Sequence, residues 1–387
     1  MNKRKIAIFT GTRAEYGLLY WIIKEIHESK DLELILMVGG THLSHEYGMT
    51  IDQIRKDGFP ISDKLEFILS SETPVGISKS MALALISSAE SFERNTPDLL
   101  IVLGDRFEAL AITQSAMIAR VPIAHIHGGE TTEGLIDEAI RHSITKMSHF
   151  HFTSTDEYRK RVIQLGENPA NVFNYGAPGI DSIKKIKLLN KRELSKKIHF
   201  SLNTPYFMLT YHPVTLSNSG GEEELNHLLQ ALDSYPNFNL IVSYPNADTN
   251  SRGLIERLEA YKNTNPDRVY LSHSLGQLKY LSLLKHSELA IGNSSSGLIE
   301  APSFKIPTIN IGHRQSGRIS GNTVISCDAK VKDIKKSIDK ATSNSFKEKI
   351  KNSKNPYGDG KSSKKIVNFI KKVDLNNILM KRFFNLR

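Results

Sequence analysis

The chain has 387 residues, of which 39% are hydrophobic and 24% are charged, with a formal net charge of +10 at pH 7. This length is too great for one ordinary hydrophobic core and suits two domains of about 150–200 residues each. No apolar run approaches the ~18 residues of a membrane-spanning helix, and the single cysteine, Cys327, excludes an internal disulfide and a cysteine-rich zinc site. We expect a cytoplasmic protein with no part in the membrane.

The positive charge is concentrated at the end of the chain. Residues 330–387 contain 17 Lys and Arg against 5 Asp and Glu, whereas residues 1–329 have a net charge of −2. Most of these basic residues are lysines on segments of helical spacing without interleaved aromatic residues, a pattern typical of a solvent-exposed helix face. The sequence therefore predicts neither a nucleic-acid partner nor a membrane partner.

Short apolar runs rich in branched residues alternate with longer stretches of helical spacing. Ile136, Ile140 and Ile144, for example, recur every four residues and therefore share one face of a helix. This alternation predicts a parallel sheet covered by helices. The strands predicted in the first half are 5–9, 32–38, 99–103 and 121–126.

A charged stretch at 184–205 without a strand-like run interrupts the alternation, which then resumes. The turn cluster NPYGDG at 355–360 precedes a last helical segment. We therefore predict two doubly wound α/β domains. The strands predicted in the second half are 206–211, 240–243, 269–271, 289–292 and 307–311. The predicted boundaries are 1–185 for the first domain, 186–203 for a linker, 204–360 for the second domain and 361–387 for a C-terminal helix and basic tail.

The loop after the first predicted strand, GTRAEYG at 11–17, is a candidate phosphate contact. Open parallel sheets bind ligands at the carboxyl ends of their strands, and a helix N-terminus with Arg13 beside it suits an anion. A plain tight turn is the alternative. Neither a Walker loop nor a GxGxxG fingerprint is present, so NTP hydrolysis and a nicotinamide cofactor receive little support.

Two further loops of the first half carry titratable side chains. Asp105 and Arg106 follow a strand in GDRFE, where an aspartate could instead serve as a helix cap. The densest group is HIHGGE at 125–130, followed by Asp137, Glu138, Arg141 and His142. Asp137 and Arg141 share a helix face and could form a simple ion pair. Without a HExxH pattern a metal site is disfavoured, so we predict acid–base chemistry.

In the second half, polar loops again follow predicted strands. These are YHP at 211–213, YPNAD at 244–248, GNSSSGLIE at 292–300 and GHRQSGR at 312–318. Consecutive serines before a helix offer hydroxyl and N–H donors to phosphate oxygens, and Glu300 could accept bonds from ribose hydroxyls. One serine acting as a cap is the alternative. Together, the loops predict an anionic ligand.

Taken in order, these motifs resemble the hydrolysing UDP-N-acetylglucosamine 2-epimerases of bacterial sialic-acid and related nonulosonic-acid pathways. The match extends over TGTRAEYG, GDRFE, HIHGGE, IDEAIRHSITK, YHPVT, YPNADT, GNSSSGLIE, GHRQSGR and NPYGDGK. The resemblance implies two Rossmann-like domains in the GT-B arrangement, with the active site and a UDP-sugar in the interdomain cleft. It also implies a homodimer or homotetramer and no metal or other cofactor.

The resemblance also assigns roles to residues. In many relatives the position of His127 holds a catalytic glutamate, so His127 or Glu130 must take over its role here. The catalytic residues implied are Asp105, His127, Glu130, Asp137 and His212. The substrate-binding residues implied are Arg13, Gly17, Arg106, Glu138, Arg141, His142, Asn246, Ser294, Ser295, Glu300, Arg314 and Arg318.

The expected reaction converts UDP-N-acetylglucosamine and water to UDP and N-acetylmannosamine. Cleavage of the C1–O bond makes the C2 proton labile, its loss gives 2-acetamidoglucal, and hydration inverts C2. One alternative is the same chemistry on UDP-2,4-diacetamido-2,4,6-trideoxyglucose (UDP-N,N'-diacetylbacillosamine) in legionaminic acid synthesis. A second is a GT-B glycosyltransferase, which would leave C2 unchanged.

Overall fold

A computed structural model describes residues 3–69, 73–132, 136–213, 221–245, 251–272 and 275–386. These residues fall into two compact units. The first comprises those within 1–130, 136–184 and 357–387, and the second those within 131–135 and 185–356.

The described strands build two fully parallel sheets. The strands of the first unit are β1 (Arg4–Thr10), β2 (Leu32–Gly39), β3 (Asp63–Leu65), β4 (Leu99–Leu103), β5 (Ile123–Ile126), β6 (Phe150–Thr153) and β7 (Val172–Asn174). Those of the second are β8 (Tyr206–Thr210), β9 (Asn239–Ser243), β10 (Val269–Ser272), β11 (Leu289–Gly292), β12 (Thr308–Ile311) and β13 (Val324–Cys327).

Except between β12 and β13, helices connect the described strands. They are α1 (Arg13–His27), α2 (Ile51–Lys56), α3 (Pro74–Asn95), α4 (Phe107–Ile118), α5 (Ile136–Met147), α6 (Asp156–Gln164), α7 (Gly179–Lys185), α8 (Lys191–Ile198), α9 (Glu222–Leu232), α10 (Ser251–Thr264), α11 (Gly276–His286), α12 (Ser296–Ile299), α13 (Val331–Thr342), α14 (Asn344–Ile350) and α15 (Ser362–Lys372). No described helix combines the length and apolar character needed to cross a membrane.

The first sheet buries both of its faces, which explains its continuous apolar strands. In β1, Ile6 and Ile8 pack in one core with α1 and α15, whereas Ala7 and Phe9 pack in the opposite core with α3 and α4. Successive strand residues point to opposite faces, so one strand supplies both cores.

Strand order determines where ligands can bind. The first sheet runs β3-β2-β1-β4-β5-β6-β7 and the second runs β10-β9-β8-β11-β12-β13. The direction of winding therefore reverses between β1 and β4 in the first unit and between β8 and β11 in the second. Ligands of doubly wound sheets bind outside the carboxyl ends of the strands at such reversals, and the predicted motifs follow these strands.

Two segments outside the predicted domains pack against the sheets. The last helix, α15, buries Ile366, Val367 and Ile370 in the core of the first unit. Within the segment predicted as a linker, α8 buries Leu194 and Ile198 in a core of the second unit. Residues 186–203 thus belong to the second unit.

Candidate active site

Asp105 is held by a buried arginine. It lies in the loop after β4, and its carboxylate is ion-paired with Arg141 of α5, which is 1% exposed. Arg141 also pairs with Glu138 at 2.7 Å and donates to the Glu130 carbonyl oxygen at 2.9 Å. His142 Nε2 lies 3.1 Å from Glu138 Oε1. One guanidinium therefore connects three of the predicted site residues.

His127 and Glu130 form a buried pair after β5. His127 Nδ1 lies 2.5 Å from Glu130 Oε1, and the Ser154 hydroxyl donates to the same oxygen at 2.8 Å. His127 Nε2 is buried and has no hydrogen-bond partner in the described part of the chain. A carboxylate that accepts the Nδ1 proton leaves Nε2 as the nitrogen able to take a proton. The pair can therefore act as a general base.

The backbone at His127 supports this interpretation. Its φ of 68° is in the left-handed region, which a side chain larger than glycine rarely adopts. Such strain is concentrated at functional sites. The residue with this left-handed backbone is the same one whose Nδ1 makes the short contact with Glu130.

Asp137 and Arg106 are electrostatically coupled. Asp137 lies in the first turn of α5, and Arg106 donates to Glu108 Oε1 at 2.6 Å. The pKa of Arg106 is raised mainly by Glu108, with smaller contributions from Glu15 and Asp137. Arg106 therefore remains charged beside the carboxylates of this region.

Glu15 is a buried acid that no sequence pattern marks as a candidate site residue. The Gly11 N–H donates to Glu15 Oε2 at 2.6 Å, and burial raises the pKa of Glu15 to about 8. The Thr12 hydroxyl caps α1 by accepting from Glu15 N at 3.2 Å. The backbone N–H groups of Gly11 and Glu15 thus donate to side chains within the turn itself. Arg13 is exposed, and Gly17 lies one turn further along α1.

In the second unit, Asn293 joins three motifs. Its side-chain amide exchanges two hydrogen bonds with the His212 backbone, at 2.7 and 2.8 Å. The backbone carbonyl oxygen of Asn293 accepts hydrogen bonds from the Arg314 side chain at 3.1 Å and from the Gln315 side chain at 2.8 Å. Burial, aided by Arg314, lowers the pKa of His212 to about 3. His212 is therefore a neutral hydrogen-bonding group in the described structure.

The serine loop begins with an obligatory glycine. Gly292 has a φ of 136°, and a Cβ there would lie 1.9 Å from the Thr210 carbonyl oxygen. Ser294 and Ser295 follow and are partly exposed. The helix expected after them, α12, is only four residues long. An anion at this loop would therefore be bound by hydroxyl and N–H donors, because so short a helix contributes little dipole.

Two more predicted residues lie in this unit. Glu300 ends α12, and burial raises its pKa, partly offset by a hydrogen bond with Ser296. Arg318 Nε donates to the Thr131 carbonyl oxygen at 3.3 Å. Asn246 lies outside the described residues.

No cluster of three or more His, Cys, Asp or Glu that could hold a metal ion is found in the described ranges.

The comparisons with known proteins agree with these motifs. The family model for UDP-N-acetylglucosamine 2-epimerase matches residues 24–371. Over all 387 residues and its own full length, a Campylobacter jejuni protein named GDP/UDP-N,N'-diacetylbacillosamine 2-epimerase (hydrolyzing) is 42% identical. The chain belongs to the UDP-N-acetylglucosamine 2-epimerase family.

Two further comparisons concern a second relative and a solved structure. Polysialic acid biosynthesis protein P7 of Escherichia coli is 41% identical over 355 residues, which are 92% of this chain and 90% of the relative. The crystal structure of Neisseria meningitidis UDP-GlcNAc 2-epimerase bound to UDP-GlcNAc shares the fold. Its TM-score is 0.82 at 20% identity, over 96% of this chain and 100% of that one.

These findings confirm three predictions made from the sequence. The chain is a member of the predicted family, its fold is the two-sheet α/β fold of the GT-B-like epimerases, and it is a UDP-sugar 2-epimerase of the hydrolysing type.

Proposed function

We propose that this enzyme converts a UDP-2-acetamido sugar and water to UDP and the free sugar epimerised at C2. The observation that carries the proposal is the buried His127–Glu130 pair, whose imidazole has one nitrogen without a protein partner among the described residues. Asp105 is fixed by Arg141 in the same unit. In a two-group epimerisation, one group removes a proton from C2 and another returns one to the opposite face.

The proposed reaction proceeds in two stages. The C1–O bond breaks, its electron pair leaves with UDP, and the C2 proton passes to a base, which yields 2-acetamidoglucal. Water then adds at C1 while C2 is protonated from the opposite face. We propose the His127–Glu130 pair as one proton-transfer group and Asp105 with Asp137 as the other. Such groups typically contribute about 10²–10⁴-fold each.

Departure of UDP is the larger demand, and we assign it to donors of the second unit. His212, Arg314 and the Ser294–Ser295 hydroxyls would bind the diphosphate, and Glu300 the ribose. Loss of one preorganised donor typically raises a barrier by ~2.7–4 kcal/mol. The remaining proposed substrate contacts are Arg13, Gly17, Arg106, Glu138, Arg141, His142, Asn246 and Arg318.

Two sugars meet these chemical requirements. UDP-N-acetylglucosamine, which would give N-acetylmannosamine for sialic acid synthesis, is the sugar in the family's name. UDP-N,N'-diacetylbacillosamine, for legionaminic acid synthesis, is favoured by the full-length 42% identity to an enzyme named for it. Both have an acetamido group at C2, so the same proton-transfer groups serve either one.

The deciding experiment incubates the purified enzyme with each nucleotide sugar and identifies the released sugar by NMR. We expect UDP together with a free manno-configured sugar from at least one of the two. Release of UDP with retention of the gluco configuration, or transfer to an acceptor, would contradict an epimerase. The ratio of the two kcat/KM values identifies the preferred substrate.

We also propose a cytoplasmic homodimer or homotetramer. Helices α3 and α4 expose large apolar side chains, including Val75 at 63%, Ile86 at 56% and Ile118 at 79% of their surface. A contiguous exposed apolar surface is typical of one that another chain covers, and we place the proposed contact between subunits on these two helices. Light scattering of the purified enzyme measures the number of subunits.

A further inference from the structure

His125 is a buried histidine to which the proposed reaction gives no role. It is fully buried on β5, two residues before His127. Its Nε2 lies 2.8 Å from the Gly104 carbonyl oxygen, and its Nδ1 lies 3.2 Å from the Thr145 hydroxyl. Both ring nitrogens therefore have defined partners.

These partners determine the tautomer. A carbonyl oxygen can only accept, so Nε2 must have the proton, and Thr145 must donate its hydroxyl proton to Nδ1. Burial lowers the pKa of His125 to about 3, so the ring stays neutral across the working pH range. His125 is thus suited to a fixed hydrogen bond and unsuited to proton transfer.

The carbonyl that His125 binds belongs to the residue immediately before Asp105. Gly104 has a φ of 82°, and its N–H donates to the Ile126 carbonyl oxygen at 3.0 Å. Gly104 is therefore anchored to β5 through both its N–H and its carbonyl group. Arg141 holds the carboxylate of the same aspartate.

The same histidine and threonine also support the loop that carries the His127–Glu130 pair. A Cβ added to Gly128 would lie 3.0 Å from His125 Nδ1 and 3.1 Å from the Thr145 hydroxyl. This is tighter than ordinary contact, so the glycine allows the loop to rest directly on the two side chains. Thr145 lies one turn after Arg141 on α5.

We propose that His125 and Thr145 are positioning residues that hold the Asp105 loop and the His127–Glu130 loop in register for proton transfer. This inference rests on the roles proposed above for Asp105 and His127. Displacement of a reacting group by about 1 Å can cost on the order of 10²-fold in rate, so a hydrogen bond that fixes such loops affects turnover more than substrate affinity.

The first test compares His125→Leu, which removes both hydrogen bonds, with His125→Gln, whose amide N–H can reach the Gly104 carbonyl oxygen. We expect kcat to fall about 100-fold in His125→Leu with KM within about 3-fold of wild type. His125→Gln should recover at least about one tenth of wild-type kcat. Equal kcat in the two variants would overturn the proposal.

A threonine pair provides a test should the His125 variants fail to fold. Thr145→Val removes the hydroxyl that fixes His125, whereas Thr113→Val removes an equally buried hydroxyl that donates to Ala109 within α4. We expect about a 10-fold lower kcat in Thr145→Val and wild-type kcat in Thr113→Val. Equal kcat for the two valine variants would count against positioning.

Hydrogen exchange separates this inference from the proposed function. Peptides covering residues 103–110 should exchange faster in Thr145→Val than in wild type or Thr113→Val, whether or not the enzyme epimerises the sugars tested. Unchanged exchange there would overturn the positioning role. An inactive wild type with the expected exchange pattern would instead contradict the proposed function alone.

Discussion

At the scale of single residues, Asp105 is held by charge and does not cap a helix. Residue Arg106 is the N-cap of α4, with no side-chain cap bond, and the Asp105 carboxylate pairs with Arg141. The structure therefore disfavours the capping alternative that the sequence left open.

We predict that Asp105→Asn reduces turnover at least ~100-fold, the scale of a lost acid–base group. Folding should change little, because asparagine can still accept a hydrogen bond from Arg141, which also keeps its ion pair with Glu138. Steady-state kinetics and thermal unfolding measure the two effects.

Asp98→Asn is the matched control, since Asp98 accepts from Lys5 N just before β4, at the opposite end of the strand from Asp105. It should leave kcat unchanged. Near-normal turnover in Asp105→Asn would remove this aspartate from the proton-transfer groups.

Some site residues could be predicted from sequence and others could not. Asp105, His127 and Glu130 stand out because titratable side chains beside glycines follow a buried strand. Asn293 and Glu15 do not stand out, since their roles arise from contacts with distant backbone or from burial, as with His212 and Asn293, 81 positions apart. A single sequence does not contain that information.

At the scale of elements, the end of α5 is tied down by the C-terminal tail. Lys381 Nζ donates to the carbonyl oxygens of Lys146 and Ser148 at 2.7 and 2.6 Å and pairs with Glu167 at 2.6 Å. Burial alone would raise the pKa of Glu167, but His151, Lys146 and Lys381 lower it to about 2.

We predict that Lys381→Met lowers the free energy of unfolding by about 1.5–3 kcal/mol, the scale of lost hydrogen bonds to charged groups. The contribution of charged Glu167 to this difference should be constant between pH 5 and 8. The stabilisation of charged Glu167 is present above its ordinary pKa of 4.5 and is lost only as the pH falls through about 2.

Urea unfolding measures this difference, with Lys364→Met on the exposed side of α15 as the control. The control should match wild type. A Lys381→Met variant as stable as the control would show that the tail does not secure α5.

Elements were predictable where they were long or strongly apolar. The strands β1, β2, β4 and β5 coincide with apolar runs of the sequence. In contrast, β3 and β7 are three residues long and contain polar side chains. Their strand conformation depends on pairing with β2 and β6. In contrast, α8 had a local signal, the Asn190–Glu193 capping box, inside the segment predicted as a linker.

At the scale of the whole molecule, the two units gather different kinds of side chain. The reversal between β1 and β4 gathers carboxylates, with His127 and Glu130 on the neighbouring loop after β5. The reversal between β8 and β11 gathers His212, Asn293 and the serine loop. Under the proposed function, the first set moves protons and the second stabilises the departing diphosphate. Both stages leave a distinct isotopic signature.

We predict that turnover in heavy-oxygen water places the label at C1 of the free sugar and leaves UDP unlabelled, because C1–O breaks and P–O does not. In deuterium oxide, the product should contain deuterium at C2. The abstracted proton goes to one group, such as the His127–Glu130 pair, and the opposite face is protonated by a second group whose proton comes from solvent. Mass spectrometry and NMR of the product measure both labels.

The contrary outcomes identify different mechanisms. Label in the phosphate of UDP would indicate attack at phosphorus, and protium at C2 with the gluco configuration would indicate a glycosidase. Inversion that retains protium at C2 would mean that a single shielded base carries the proton across the ring or that C2 is transiently oxidised. Oxidation would need a nicotinamide, and the chain has no GxGxxG fingerprint for one. An inverted product with protium at C2 would therefore rule out two solvent-exchanging proton-transfer groups, and with them the division of labour proposed for His127 and Asp105.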